Sequence, residues 1–361
     1  MWSTSPAGRR PWHAGRVNEV LHREGDLTVI RRDAPDARWL ALLSGVSWGT
    51  DGLRYRLNEV GHALDRWYGA QFLELARGDE LLAVFVLVPH RYVVEGLPIT
   101  TWYRSMLAAA PGLAGGGLGR VLTSAARRIY LDEATVPTLL YGYIESDNSR
   151  SMRLQERLGY QPLFELEAAS WGWLRPAITD GVERCTDRVA FLAAMRRFWK
   201  GHQLDDLDQS APIDDLWVLR RGGKVVAGAL VVDKSLGIEH LPGLDGKLLM
   251  AGSPVLRHLT PFFRTDPHTV LWTGPVFFEG DDPEPLLALL QALQGATGAS
   301  SGLWYVDPRS PARARLQALG PIHRLSPSPT LRAMAGWKNV PDTVIEAIRR
   351  GPVLASSLDS A

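Results

Sequence analysis

The chain has 361 residues, of which 45% are hydrophobic and 22% charged, a composition typical of a globular protein long enough for two domains. Its formal net charge of +1 gives no general electrostatic basis for binding nucleic acid or an anionic membrane, and its single cysteine, Cys185, excludes a disulfide framework and a multi-cysteine zinc site. No apolar stretch is long enough to span a bilayer and the first residues lack a secretory apolar core, so together with the single cysteine we expect a cytoplasmic protein. From the near-zero net charge we expect that it binds neither nucleic acid nor membranes.

The first half of the chain alternates between patterns typical of strands and of helices. Residues 1–25 are polar and rich in proline and glycine, and we expect them to be a flexible N-terminus. The pattern then predicts, in chain order, a strand at Asp26–Arg32, a helix begun by Asp36, a second helix in Tyr55–Gly69, a hairpin at Gln71–Tyr92, a strand at Ile99–Pro111, a helix at Leu118–Glu133, a strand at Thr138–Glu145, a helix in Ser146–Tyr160 and a strand in Pro162–Trp173.

The second half repeats this order of elements after a segment, Leu174–Gly181, that is typical of a linker. The predicted elements are a helix in Asp187–Gly201, a hairpin at Asp215–Asp233, a strand at Thr269–Phe278, a helix at Pro283–Ala296, a strand at Ser301–Asp307 and a helix in Pro308–Gly320. Since hairpin, strand, helix, strand and helix occur twice, we predict two domains of like fold, at 26–175 and 176–361.

A glycine-rich segment, Ala108–Arg120, lies between a predicted strand and a predicted helix, and five of its residues are glycine. Glycine loses more conformational freedom on folding than any other residue, so a requirement for bare backbone is expected here. The N–H groups and the positive dipole end of a helix N-terminus favour an anion such as phosphate. The segment lacks the features of a Rossmann motif and of a Walker loop. Taken by itself, the glycine run also fits a flexible loop or close backbone packing.

Two motifs at a consistent separation, within Asp26–Trp173, resemble those of the GNAT superfamily of acyl-CoA-dependent N-acyltransferases. The matching positions are Leu107, Pro111, Gly117 and Gly119 around the glycine run, and Asn148, Leu154, Arg157, Gly159 and Tyr160 in the later helix. The resemblance implies an α/β (α+β) fold of two GNAT-like domains, each with a mixed, mostly antiparallel twisted sheet flanked by helices. It also implies a tandem protein whose C-terminal copy is degenerate.

The resemblance further implies an N-acetyltransferase that moves an acetyl group from acetyl-CoA to a primary amine by direct attack, the acceptor being a small molecule or a peptide. The pyrophosphate of CoA would lie on the backbone of residues 114–120, the pantetheine arm along Leu107–Ala109, and the developing oxyanion near the N–H of Leu107. No metal is implied. The implied CoA-binding residues are Leu107, Ala108, Ala109, Ala114, Gly115, Gly116, Gly117, Leu118, Gly119, Arg120, Asn148, Ser151 and Gln155.

Two positions depart from the family pattern. Ala114 replaces the arginine or glutamine that begins the family's loop, and Gln155 replaces the tyrosine that often protonates the departing thiolate. We consider Glu145 and Glu74 as the base for an ammonium substrate, and Tyr143, which shares a strand face with Tyr141, as a further catalytic candidate. The alternatives are solvated or capping carboxylates and a tyrosine that only packs.

The second half departs further, because acidic residues occupy the junction between its strand and its helix. Glu279, Asp281, Asp282 and Glu284 would repel phosphate, so we predict that this half does not bind CoA and closes one wall of the acceptor site. Its histidines at 240, 258, 268 and 323 lack metal-ligand spacing. Two other functions stay open at this point: an inactive GNAT-like protein that binds CoA or a partner, and a transferase that uses aminoacyl-tRNA, which the near-zero charge disfavours.

Overall fold

The computed structural model describes residues 18–49, 53–65, 67, 69–113, 116–171, 177, 179–204, 215–256, 264–317, 323–324 and 330–354. In the first half the elements are β1 (Glu19–Glu24), β2 (Leu27–Arg32), α1 (Ala37–Ser44), β3 (Arg54–Leu57), α2 (Val60–Leu64), β4 (Gln71–Arg77), β5 (Glu80–Val94), β6 (Leu97–Ala109), α3 (Leu118–Arg127) followed by a π-helical turn (Arg128–Asp132), β7 (Thr138–Glu145), α4 (Ser149–Arg157) and β8 (Gln161–Trp171).

The second half continues with a similar succession of elements. These are β9 (Val182–Arg184), α5 (Arg188–Phe198), β10 (Leu216–Arg221), β11 (Lys224–His240), α6 (Gly243–Leu256), β12 (His268–Phe278), α7 (Glu284–Thr297), β13 (Ser301–Val306), α8 (Pro311–Gln317), β14 (His323–Arg324), β15 (Thr330–Lys338) and α9 (Asp342–Arg350). The predicted hairpins are present as β4–β5 and β10–β11, and the predicted helix start is confirmed because the Asp36 carboxylate accepts hydrogen bonds from the N–H groups of Arg38 and Trp39.

The described strands form one twisted, mostly antiparallel sheet that runs through both halves. Its order is β1-β2-β4-β5-β6-β7-β15-β8-β13-β12-β11-β10-β9, with β14 beside β8 and β3 beside β11. Two strand pairs are parallel, β6 with β7 and β12 with β13, and they occupy corresponding places in the two halves.

The centre of the sheet is made by an exchange of strands between the halves. The C-terminal strand β15 lies between β7 and β8 of the first half. In return, the end of β8 pairs with β13 and β14 of the second half. Neither half therefore completes its own part of the sheet, and we expect the two halves to unfold together. The division of the chain near residue 175 stays a prediction about the sequence.

The two faces of the sheet carry separate apolar cores, and β7 shows the alternation between them. Leu140 and Ile144 pack with α3, whereas Tyr141 and Tyr143 belong to the core that includes Trp39 of α1. This arrangement confirms that Tyr141 and Tyr143 share a face. It also places α3 and α1 on opposite faces of the first half.

The fold differs from the sequence-based expectations in two of the predicted segments. The segment expected to be flexible contains β1, which pairs with β2; an edge strand is exposed on both sides and so lacks apolar alternation. The helix predicted at Tyr55–Gly69 is wrong over its first part, where β3 pairs with β11 of the other half, and only the short α2 follows. Residues 1–17 lie outside the described residues.

Candidate active site

The strands β6 and β7 pair along only part of their length. Their parallel pairing joins Thr100–Tyr103 to Thr138–Tyr141 and then ends, and beyond Tyr103 no described strand pairs with this edge of β6. Just past the last pair, a Cβ on Gly142 would lie 2.9 Å from the carbonyl oxygen of Arg104, so only glycine fits at the point of divergence. The ends of the two strands thus border a slot that is closed at Arg104 and Gly142.

A β-bulge in β6 faces this slot. Met106 and Leu107 together oppose a single residue of β5, Phe85, because the register shifts between the pairs on either side. Met106 has a φ of 47°, a conformation that a residue with a side chain rarely adopts. The bulge reorients the backbone of β6 where a ligand lying in the slot would contact it.

The glycine-rich segment leads from the bulge to the N-terminus of α3. Gly117 precedes the helix with a φ of 79°, and no side chain caps this end. The N–H of Arg120 is used by the carbonyl of Gly117. A Cβ on Gly119 would meet only Leu107 Cδ2, at an ordinary 3.6 Å. Packing within the chain therefore does not require glycine at this position.

The other residues implied in CoA binding lie around these elements. Leu107, Ala108 and Ala109 are on β6, Gly116 lies before the helix, and Leu118 begins it. Arg120 is exposed, with a guanidinium nitrogen 3.7 Å from a carboxylate oxygen of Glu24. Ala114 and Gly115 lie outside the described residues.

Helix α4 presents two of the predicted positions in different roles. Asn148 is the N-cap, and its side-chain oxygen accepts a hydrogen bond of 3.0 Å from the N–H of Ser151. Gln155 is 5% exposed, and its side-chain oxygen accepts a hydrogen bond from Nη1 of Arg104. The structure thus pairs Gln155 with a buried cation.

Arg104 is a residue of this site that sequence reasoning missed. It is 6% exposed; its Nη2 donates to the carbonyl of Met334 on β15 at 2.8 Å, and its guanidinium carbon lies 3.9 Å from the centre of the Tyr160 ring. Burial lowers the pKa of the Arg104 guanidinium, and the nearby Tyr160 acts in the opposite direction. A single arginine in the middle of a strand whose other residues are all uncharged is the signal that could have drawn attention to it.

On the face of the sheet that carries α1, away from α3, tyrosines and one carboxylate lie beside the slot. The ring centre of Tyr143 lies 5.4 Å from that of Tyr103 and 5.9 Å from that of Tyr141. Burial raises the pKa values of Tyr55 on β3 and Tyr305 on β13, and the charge of Glu145 adds to both shifts. Glu145 at the end of β7 is therefore close to one tyrosine of the second half, Tyr305, and to Tyr55 on a strand that pairs with the second half.

Comparison with known proteins rests on structure alone, because no family model and no curated protein matches this chain. N-myristoyltransferase of Saccharomyces cerevisiae with bound myristoyl-CoA has a TM-score of 0.58 at 12% identity, over 94% of this chain and 91% of that chain. A second structure of that enzyme with bound myristoyl-CoA gives 0.57 and 12%, over 94% and 86%. A GCN5-related N-acetyltransferase from Sphaerobacter thermophilus gives 0.43 and 17%, over 81% and 87%.

The chain has a GNAT-superfamily fold with two GNAT-like halves. The hairpin, the parallel strand pair that diverges, and the helix that follows the glycine segment form the first GNAT-like half. At 12% identity, the likeness to the myristoyltransferase establishes the fold.

In the first GNAT-like half, Glu74 lies away from the slot, on β4, with β5 between it and β6. It is 1% exposed, and both of its oxygens accept hydrogen bonds from Arg32, at 2.5 and 2.6 Å. One oxygen also accepts from Nε1 of Trp39 at 3.1 Å. These bonds join α1 and β2 to β4, so we do not retain Glu74 as a candidate base.

The second GNAT-like half has a corresponding slot, which the chain itself fills. The pairing of β12 with β13 ends at Thr273 and Trp304, as the pairing of β6 with β7 ends at Tyr103 and Tyr141. Beyond that point, Nε1 of Trp199 donates to the carbonyl of Val276 at 2.7 Å. The space that is left, lined also by Val353 and Leu354, has room for about one water molecule.

The helix that follows β12 is also closed to an anion. The Asp282 carboxylate accepts a hydrogen bond of 2.9 Å from the N–H of Glu284 at the start of α7, and Glu284 pairs with Arg221. A carboxylate thus occupies the place where a phosphate would accept hydrogen bonds in the second half.

The remaining candidates of the sequence are Cys185 and the histidines of the second half, of which His258 lies outside the described residues. Cys185 is buried, and burial raises the pKa of its thiol. Among the described residues, no three His, Cys, Asp or Glu side chains come together in a way that could hold a metal ion. None of the helices in the described part of the chain has the length and apolar character needed to span a membrane.

Proposed function

We propose that this protein is an N-acyltransferase that moves an acetyl group from acetyl-CoA to a primary amine of a small molecule or peptide. The observation that carries the proposal is the slot of the first half: an unpaired edge of β6 with a bulge, next to an uncapped helix N-terminus. The likeness in fold to an enzyme whose structure holds myristoyl-CoA supports an acyl-CoA as the donor.

The described residues of this slot fit CoA in two respects. The N–H groups of Leu118 and Gly119, at the start of α3, are not capped by a side chain and can donate to the pyrophosphate. Glycine at 119 leaves space beside Leu107, although no packing contact within the chain requires glycine there. This space suits the pantetheine arm of CoA lying along Leu107–Ala109. Asn148 and Ser151 keep the start of α4 in place, and Gln155 lies at the closed end of the slot.

The proposed reaction is a direct attack within a ternary complex. The attacking amine forms when its ammonium group gives up one proton. Its nitrogen then adds to the thioester carbonyl carbon, the C–S bond breaks with its electron pair going to sulfur, and the nitrogen releases a second proton to solvent. The N–H of Leu107 in the bulge donates to the oxygen on which negative charge develops. Glu145 accepts the proton of the ammonium group, and Tyr143 shapes the approach of the acceptor.

A short acyl group is favoured by what closes the slot. Tyr103, Tyr141 and Tyr143 pack against one another just where the strands meet, and the hydroxyl groups of Tyr92 and Tyr141 lie 3.1 Å apart. We therefore propose acetyl rather than myristoyl as the group transferred. A series of acyl-CoA donors of increasing chain length tests this choice, with the rate expected to fall beyond the first members.

The second half is proposed to complete the acceptor site without binding CoA. Its slot is filled by Trp199, Val353 and Leu354, and the N–H of Glu284 is already used by Asp282. Tyr305 of this half, together with Tyr55 on the strand that pairs with β11, provides a wall near Glu145.

Titration calorimetry with acetyl-CoA, followed by turnover across a panel of amines, tests the proposal. We expect one CoA site per chain and release of CoA that depends on the amine. Binding without turnover by any amine would favour an inactive CoA-binding protein, the alternative that Gln155 in place of a tyrosine suggests. No binding would overturn the proposal.

A further inference from the structure

Arg104 carries a positive charge that no described carboxylate neutralises. Its hydrogen bonds go to the amide oxygen of Gln155 and the carbonyl of Met334, and its third neighbour is the ring of Tyr160. A buried cation with only neutral partners is costly, because the protein interior replaces water poorly around a charge. A negative charge that arises during function would offset that cost.

Arg104 lies at the slot, where the proposed reaction would produce such a charge. Its backbone forms the closed end, against Gly142, and lies three residues before Leu107 on the same strand. Its side chain holds the oxygen of the Gln155 amide, so the amide nitrogen, which has two N–H groups, is turned away from the guanidinium and is the end of Gln155 that can donate to a ligand. The titratable groups that act most on the pKa of Arg104, among the described residues, are Tyr103, Tyr160 and Arg127, and none of these three carries negative charge near neutral pH.

We infer that Arg104, acting through the amide of Gln155, stabilises the thiolate of CoA after the acyl group has left. This inference rests on the proposed function, and it gives Arg104 the part of a positioning residue. When the C–S bond breaks, sulfur keeps the electron pair, and the thiolate takes up a proton from solvent only after release. No proton donor is then needed at position 155, where glutamine has none to give at neutral pH.

The test is the pKa of the thiol of bound CoA, measured from thiolate absorbance against pH on the full chain. Desulfo-CoA, which lacks the thiol, gives the reference that removes tyrosine absorbance. We expect the pKa of the bound thiol to be lower than that of free CoA by about 1, the effect of one nearby opposite charge. Arg104→Lys, which keeps the charge, should retain most of this difference, and Arg104→Met should abolish it.

A second variant keeps the inference testable if Arg104→Met does not fold. Gln155→Glu places a carboxylate against the guanidinium, so the pair stays bonded and the fold is kept while the net charge falls to zero. The pKa of the bound thiol should then return to that of free CoA. Two results would overturn this inference and leave the proposed function intact. In the first, the thiol bound to the unaltered protein has the pKa of free CoA; in the second, the pKa of the bound thiol stays low in Gln155→Glu. Failure to bind CoA would overturn the proposed function together with this inference.

Discussion

Gly119 offers a direct test of the site, because the fold tolerates a side chain there and the proposed ligand does not. Its would-be Cβ has only an ordinary contact with Leu107, so Gly119→Glu and Gly119→Gln should fold normally. Replacing glycine within a helix gains about 0.5–1 kcal/mol in the free energy of unfolding. A glutamate in the first turn gains about 0.3–1 kcal/mol more from the helix dipole. Both variants should therefore be at least as stable as the unaltered protein.

The affinity for CoA, in contrast, should fall in both variants. A side chain at 119 grows between the start of α3 and Leu107, where the pyrophosphate and the arm of CoA are proposed to lie. A single carboxylate 4 Å from a phosphate charge costs about 1 kcal/mol in water and about 4 kcal/mol near a protein surface. The glutamate variant should then bind CoA about 5-fold to about 700-fold more weakly than the glutamine variant.

Titration calorimetry of the two variants with CoA, at low and at high salt, measures this difference. Glutamine has the size of glutamate without the charge, so the comparison removes the steric effect that both share. The ratio should shrink as salt screens the repulsion. Equal affinities at low salt, with unfolding free energies raised in both variants, would refute an anion site at the start of α3.

Four further changes follow from the contacts described. Gly142→Ala should lower the free energy of unfolding by about 1–3 kcal/mol in a denaturant titration, because its Cβ meets the backbone of Arg104; an unchanged midpoint would contradict the close approach. Glu145→Gln should reduce kcat by about 10²- to 10⁴-fold with CoA affinity kept, and a normal kcat would exclude it as the base. Glu74→Gln should instead cost about 3–5 kcal/mol of stability with the rate per folded molecule retained, and the reverse pattern would restore it as a candidate. Burial lowers the pKa of His268 below 6.5, so the unfolded chain binds more protons and the free energy of unfolding falls as the pH drops below that value. His268→Gln should make the free energy of unfolding less dependent on pH in this range, and the same pH dependence in both proteins would contradict the prediction.

Local patterns were sufficient to predict most elements of the two halves. The hairpin at β4–β5 follows from apolar runs on either side of a short turn, and Asp36 marks the start of α1 by its capping side chain. The strand and the helix on either side of the glycine run were predicted within a few residues of their observed bounds. In each case neighbours in sequence decide the conformation, so the sequence pattern carries the information.

Contacts between distant parts of the chain could not be predicted in this way. Nothing in the pattern of Thr330–Lys338 indicates that it enters the sheet of the other half, because a strand looks alike whichever neighbour it pairs with. The partners of Arg104 could likewise not be predicted, because Gln155 on α4 and Met334 on β15 are distant in sequence and meet it only in the folded chain. Glu74 shows the opposite case, since a carboxylate that fits a base by residue type is fully engaged in bonds with Arg32.

The two halves share one architecture, and a small number of contacts distinguishes the slot that is open from the slot that is filled. In the second half the indole N–H of Trp199 bonds to the carbonyl of Val276 beyond the last strand pair, and Asp282 bonds to the start of α7. CoA would make two kinds of bond in the first half, one with the edge of a strand and one with the start of a helix. In the second half the chain makes both itself, through the indole of Trp199 and the carboxylate of Asp282. The second half can therefore keep its fold without a ligand. Because it also supplies β15 to the centre of the sheet, its stability contributes directly to the geometry of the first slot.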